Sequence, residues 1–377
     1  MADHEIRIIP SGPDATSQSL EVEFNIRRES YRIYFRTHDD AVLTANTEAF
    51  VSCALLPCMK SGGGDLAIAG EISAKYLSAL PVIQDIFCKW DTSLQRVRVK
   101  NAVPVKRGGS TGRRVGVFFS GGVDSFYTLL KHQAEITDLI FIDMWQDNPV
   151  LRDKISTKIR EVASAFGKNI IAIETNVREL LRPYVKWGPL GHGSVLAATG
   201  HLLSPFFERI YIAASLTYAD LLPWGSHPVL DHWWSSEAVE FVHDGCEANR
   251  IEKVGRLSDC DIALKNLRVC WRNPGSAYNC GRCEKCLRTM INLQVHNALD
   301  RCTAFDEELD IRRVSKIIIK KKAIRAVMQQ NLDELNKSQG NEELKKALQK
   351  ALDRPMWVIK SKKALKKNLR RLKGLVA

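Results

Sequence analysis

Apolar side chains along this chain follow two different textures that meet near residue 115. In residues 20–36 (LEVEFNIRRESYRIYFR) apolar and polar positions alternate around a turn-like Arg-Glu-Ser, which predicts two strands sharing one buried face. After the flexible Ser61-Gly62-Gly63-Gly64-Asp65, residues 71–90 (EISAKYLSALPVIQDIFCKW) carry helical spacing that Pro81 should kink or end. The run 95–105 (QRVRVKNAVPV) reads as a further strand, so residues 1–105 are expected to form a small N-terminal β-containing domain. Residues 106–114 (KRGGSTGRR) are basic and glycine-rich with nothing to bury, the composition of an exposed linker.

From residue 115 onward short apolar runs alternate with helical patterns, which is how buried parallel strands and their crossover helices are written. Strands are expected at 115–119 (VGVFF), 138–143 (DLIFID), 169–175 (NIIAIET) and 209–215 (RIYIAAS). Between them, Ile155, Ile159, Val162, Ala163 and Phe166 repeat at helical spacing up to Gly167, a natural left-handed stop. Residues 194–207 (SVLAATGHLLSPFF) supply another crossover helix. The fold class is therefore α/β, an open parallel sheet with helices on both faces, placed at 115–300. Residues 311–377 read as a helical tail broken at Ser338-Gln339-Gly340-Asn341 and at Pro355, and no internal repeat is visible.

Composition narrows the setting. The 377 residues are 45% hydrophobic, enough for a sizeable core, yet no run of about 18 apolar residues occurs that would predict a transmembrane helix. The start, MADHEIRIIPSGPD, has neither the basic opening nor the apolar stretch of a signal peptide, so a cytoplasmic location is expected. The formal charge of +12 is uneven: residues 311–377 hold 20 Lys/Arg against 5 Asp/Glu, leaving the rest of the chain nearly neutral. Leu365, Leu369, Leu372 and Val376 give that tail one apolar face among Lys and Arg, suited to docking on its own domain, to nucleic acid or to lipid.

Two motifs carry chemistry. The first strand runs straight into Ser120-Gly121-Gly122-Val123-Asp124-Ser125 and then FYTLLKH, a strand, glycine turn and helix N-terminus. Such a turn aims several N–H groups outward together with the helix dipole, a cradle for phosphate; the absence of a following lysine excludes a Walker A loop. The second motif is Cys270, Cys280, Cys283 and Cys286, spaced C-x9-C-x2-C-x2-C. Four thiolates at that spacing suit a closed tetrahedral zinc site, with an iron–sulfur cluster the alternative on the same ligands. Cys53, Cys58, Cys88, Cys246, Cys260 and Cys302 have no ligand spacing and are expected as small apolar side chains.

The turn resembles the SGGxDS signature of the PP-loop ATP pyrophosphatases, and every signature position matches. Together with the CGRCEKC text, it resembles the 7-cyano-7-deazaguanine synthase family of the queuosine pathway over residues 115 to about 295, roughly half the chain. That resemblance implies a PP-loop/HUP-like sheet and cleavage of ATP to AMP and pyrophosphate. Ser120, Gly121, Gly122, Val123 and Ser125 would grip pyrophosphate, Asp124 would hold Mg²⁺, and an adenine slot would lie near Ile142 and Ser215. Lys253 and Arg250 would reach phosphate or face solvent. A carboxylate or carbonyl would be adenylated and then attacked by ammonia or an amine, on a small molecule such as a deazapurine or on a macromolecular acceptor. Sulfur insertion into RNA and a non-catalytic nucleotide- or protein-binding module are the other readings. Tyr218, Asp220, His227 and Asp231, in an aromatic-rich loop after the fourth strand, and His192, between two glycines, are candidate substrate contacts.

Overall fold

The computed structural model describes residues 3–9, 18–37, 39, 41–106, 114–144, 147–319 and 322–354. They form two compact units, residues 1–249 and 250–377.

The first unit is built on one ten-stranded sheet. Its elements are β1 (His4–Ile9), β2 (Ser19–Ile26), β3 (Glu29–Thr37), α1 (Thr47–Lys60), β4 (Gly64–Ser73), α2 (Ala74–Trp90), β5 (Val97–Val105), β6 (Arg114–Phe118), α3 (Val123–Lys131), β7 (Asp138–Asp143), α4 (Pro149–Phe166), β8 (Asn169–Thr175), α5 (Arg178–Leu181), α6 (His192–Leu202), β9 (Phe207–Ala213) and β10 (Glu240–Asp244). The strand order is β10-β9-β6-β7-β8-β3-β2-β1-β4-β5. Strands β10 to β8 in that order are parallel throughout, while β3 pairs antiparallel with both β8 and β2.

The alternation in residues 20–36 produces the expected hairpin: Val22, Phe24, Ile26, Ile33 and Phe35 are all buried, and Val22 pairs with Ile33 across a two-residue turn at Arg27-Arg28. The hairpin does not stand apart, however. Phe35 pairs with Thr175 of β8, so the N-terminal strands continue the parallel sheet and cover what would otherwise be its unpaired edge. Residues 1–105 therefore belong to the same compact unit as the parallel strands. Most of the expected linker, residues 107–113, lies outside the described residues.

Helices lie on both faces of the parallel strands. Phe118 and Ile140 share a core with α1 and α6, whereas their strand neighbours Val117 and Leu139 point the opposite way and are also buried. On that opposite side α3 contacts β6 and β9, and α4 contacts β7 and β8. Gly167 ends α4 at φ +62°, as its position predicts.

Two local expectations need correction, and one helix is not foreseen. Residues 71–73 close strand β4, and the helix begins only at Ala74, where the Ser73 hydroxyl accepts the Tyr76 N–H. Pro81 neither ends nor splits α2, which runs from Ala74 to Trp90. The buried face of Leu80, Ile83, Gln84 and Phe87 holds the helix against the sheet and offsets a proline penalty of about 3 kcal/mol. Helix α1 has no sequence signature because it is buried on every side from Thr47 to Met59, so no polar stripe marks its period.

The second unit is helical: α7 (Arg250–Ser258), α8 (Asp261–Asn266), α9 (Glu284–Val295), α10 (Ile311–Val314), α11 (Lys322–Asn336) and α12 (Glu342–Leu352). The sequence reading joins residues up to 300 to the sheet; in the structure α7 to α9 fall in the helical unit. Leu287 and Ile291 of α9 share a core with Met328 and Leu332 of α11 and Leu344 and Leu348 of α12. Within 311–354 the chain forms α10, α11 and α12, with a break before Glu342 as expected and a non-helical segment at 315–319, while the amphipathic face at 365–376 and the break at Pro355 lie outside the described residues. No helix among the described residues is long and apolar enough to cross a membrane.

Phe35 sits at the joint of the hairpin and the parallel strands, fully buried. Phe35→Ala should cost about 3–5 kcal/mol in urea unfolding. A loss under about 1 kcal/mol would mean that this joint is not part of the core.

Candidate functional site

The chain runs outward from β6 through β7 to β8, then crosses back to place β9 and β10 on the other side of β6. A crevice opens at the carboxyl end of the strand where that order reverses. There Gly121 adopts φ +71°, a left-handed turn open to glycine, and Gly122 caps α3 with no side-chain hydrogen bond. Phe126 N–H donates to Gly122 at 3.0 Å, the first bond of the helix, so the N–H groups before it face the turn. Ser125 Oγ braces the loop by accepting from Ser120 N–H at 3.3 Å and donating to the Gly122 carbonyl at 3.1 Å.

This turn borders a cavity of about 250 Å³. Ser120, Asp124, Ser125, Ile142, Ser215 and His192, widely separated in sequence, all line it, and Gly121, Gly122 and Val123 form the turn at its edge. Trp187, Met144 and Ser226 complete part of the wall. His192 bonds the Trp187 carbonyl through Nδ1 at 3.2 Å and has the Trp187 and Trp224 rings 6.3 and 5.8 Å away. Burial lowers its pKa, so the imidazole lining the cavity is neutral near pH 7. The start of α6 lies so close to the 224–226 loop that a Cβ on Gly193 would fall 1.8 Å from the Gly225 carbonyl oxygen.

The remaining candidates are placed differently. Tyr218 is 65% exposed, and Asp220 accepts from Thr217 Oγ1 at 2.8 Å in a short surface turn; neither lines the cavity. Asp231 is fully buried and occupied internally: it accepts from Ser226 Oγ at 2.6 Å, His227 N–H at 3.1 Å and His243 Nδ1 at 2.7 Å. His227 is also buried, with the Trp90 ring 5.3 Å away. Burial alone would lower the pKa of His243, but the Asp231 hydrogen bond and charge raise it to about 9. His243 escapes a sequence reading because β10, which carries it, is short and is recognisable only by its pairing with β9. Lys253 and Arg250 lie on α7 in the other unit; Lys253 is 2% exposed, so it is not a solvated surface charge.

The four cysteines converge within that second unit, their sulfur atoms all within 4.8 Å of one another. Cys283 Sγ lies 3.4 Å from Cys286 Sγ, and Cys280 Sγ lies 3.9 Å from it. A tetrahedral ZnS₄ site with bonds near 2.3 Å requires sulfur separations of about 3.8 Å, so the residues fit the ion. Backbone N–H groups approach the sulfurs: Asn273 to Cys270 and Cys283 to Cys280 at 3.3 Å, and Cys286 to Cys283 at 3.5 Å. Cys283 also caps α9, and its hydrogen bond with Cys286, outweighing burial, lowers its pKa to about 5 while that of Cys286 rises. Buried Asn279 stitches the loop, accepting from Val269 and Cys270 N–H and donating to the Leu267 and Ala304 carbonyls. This cluster can hold one metal ion with no open coordination position.

No family model, curated protein or solved structure matches the chain.

Two outcomes follow from this geometry. Purified protein should carry about one zinc per chain, and Cys283→Ser should release most of it in a colorimetric chelator assay. Metal-free wild-type protein with intact thiols would contradict the site. The raised pKa of His243 stabilises the fold fully below its ordinary 6.5, and that contribution is lost as pH rises through about 9. Asp231→Asn should therefore cost on the order of 2 kcal/mol more at about pH 6 than at about pH 9.5 in urea unfolding. An equal cost at both would rule out the ion pair.

Proposed function

We propose that the chain binds Mg·ATP at the β6–α3 turn and uses it to adenylate a carboxylate or carbonyl oxygen, which ammonia or an amine then attacks. The observation that carries this reading is the common cavity: the phosphate-type turn, Asp124, Ile142 and Ser215 border one space at the carboxyl ends of parallel strands.

In this reading the N–H groups of the Gly121–Ser125 turn, with the α3 dipole, take up the pyrophosphate charge, assisted by the Ser120 hydroxyl. Asp124 would hold Mg²⁺, which neutralises charge on the phosphate oxygens. Ile142 and Met144 offer apolar surface for adenine, and Trp187 and neutral His192 offer a wall for a planar acceptor. The rate gain comes from positioning the attacking oxygen in line with the α-phosphorus and from fixed dipoles around the charge that develops there. A deazapurine carboxylate is the acceptor suggested by the resemblance to 7-cyano-7-deazaguanine synthases, in a cytoplasmic enzyme whose cysteine cluster holds structural zinc.

Titration calorimetry with Mg·ATP tests the reading. Binding is expected in the micromolar range, and Asp124→Asn should weaken it at least about tenfold, or 1.4 kcal/mol, with most of the magnesium dependence lost. Pyrophosphate release on adding a deazapurine carboxylate would extend the result to chemistry. The absence of binding heat with Mg·ATP at several temperatures would overturn the proposal.

A further inference from the structure

Ser226 lines the cavity and also bonds to the buried Asp231–His243 pair, and those bonds fix what its hydroxyl can offer a ligand. Ser226 Oγ, His227 N–H and His243 Nδ1 all converge on Asp231, the bonding of an ionised carboxylate, which only accepts. His243 Nδ1 lies 2.7 Å from Asp231 Oδ2, so that nitrogen carries a proton whether the ring is neutral or cationic. It therefore cannot accept from Ser226 Oγ, 3.3 Å away. The Ser226 proton goes instead to Asp231 Oδ2, at 2.6 Å. A hydroxyl has one proton and two lone pairs, so with that proton committed Ser226 offers the cavity an acceptor and no donor.

The backbone holds this residue beside His192. Gly225 N–H donates to the Gly188 carbonyl at 3.1 Å, and a Cβ on Gly225 would fall 2.6 Å from the Leu190 carbonyl oxygen and 2.8 Å from His192 Nδ1. His192, in the same cavity wall, is restricted in the same sense: its Nδ1 donates to the Trp187 carbonyl at 3.2 Å, so the second nitrogen of the neutral ring is an acceptor. The Trp187 and His192 rings suit a planar ligand.

We propose that Ser226 Oγ is the specificity-determining acceptor of this cavity, selecting as the molecule to be activated a planar heterocycle that carries an amino group on its edge. The proposal rests on the ATP reading for what becomes of that heterocycle, whereas the direction of the hydrogen bond holds without nucleotide. An analogue lacking the amino group would leave Ser226 Oγ facing a C–H, an acceptor taken out of water without a partner, and such losses discriminate more strongly than a change of apolar contact. Ser226 is thus a binding residue, and Asp231 and His243 are positioning residues that act through it.

Three probes of one shape test this: 9-methylpurine, 9-methyladenine and 2-amino-9-methylpurine. The methyl group removes the ring N–H, so the amino group is the only donor, and its place differs between the last two. Affinities for the intact protein without nucleotide are read by ligand-observed NMR titration. At least one amino probe should bind at least about tenfold more tightly than 9-methylpurine, and Ser226→Ala should reduce that ratio to about twofold or less. Equal affinities for all three in wild-type protein, or no binding of any, would overturn the proposal whether or not the variant folds. A preference that survives in Ser226→Ala would overturn it too, because the amino group would then have another partner. Calorimetry of the wild-type protein with Mg·ATP separates this claim from the one it builds on. Ser226-dependent amino selectivity in a protein that does not bind Mg·ATP would uphold the role of Ser226 and reject the ATP reading; Mg·ATP binding without amino selectivity would do the reverse.

Discussion

The reversal of strand order at β6 is the constraint on which the rest of the site depends. Because β7 and β8 lie to one side of β6 and β9 and β10 to the other, the segments leaving β6 and β9 border one crevice. Gly121 and Gly122 can then turn the chain into α3 with the helix N-terminus facing that crevice. Ile142 at the end of β7 and Ser215 after β9 reach the same space only because their strands flank β6. A phosphate-type turn on an edge strand would have no such pair of walls.

Burial elsewhere serves this arrangement. The N-terminal hairpin covers the β8 edge, and α1 and α6 close the face of the sheet to which Phe118 and Ile140 point. The close approach of Gly193 to the Gly225 carbonyl brings the 224–226 loop onto α6, and that loop carries Ser226 between the cavity and the buried Asp231–His243 pair. Charge in this region is therefore paired before any ligand arrives, as expected where an ionised side chain lies out of water. In the helical unit the four cysteines converge at the N-terminal end of α9, where they could hold a metal ion.

What the sequence discloses follows the range of the interaction. The strand, glycine turn and helix at residues 115–131 and the three close cysteines at 280–286 are local, so spacing alone reveals them. The hairpin at 19–37 is equally legible from its alternation, but nothing in that alternation says which sheet edge it joins. Helix α1 is hidden by burial on every side, and β10 and His243 by dependence on a distant partner strand. Asp231 reads as a substrate contact from its aromatic surroundings, whereas its carboxylate is spent on Ser226, His227 and His243. Tyr218 and Asp220 belong to the same loop yet project at the surface, a distinction that sequence order does not carry.

The central claim is that the Gly121–Ser125 turn is a phosphate cradle. Hydrogen–deuterium exchange of the backbone amides tests it most directly, with and without Mg·ATP, because the groups proposed to hold phosphate are those whose exchange is read. The account predicts slowed exchange concentrated in peptides spanning Ser120 to Phe126, with weaker protection around Ile142 and Ser215. Unchanged exchange across that turn at a nucleotide concentration that saturates binding, or protection confined to other segments, would contradict it.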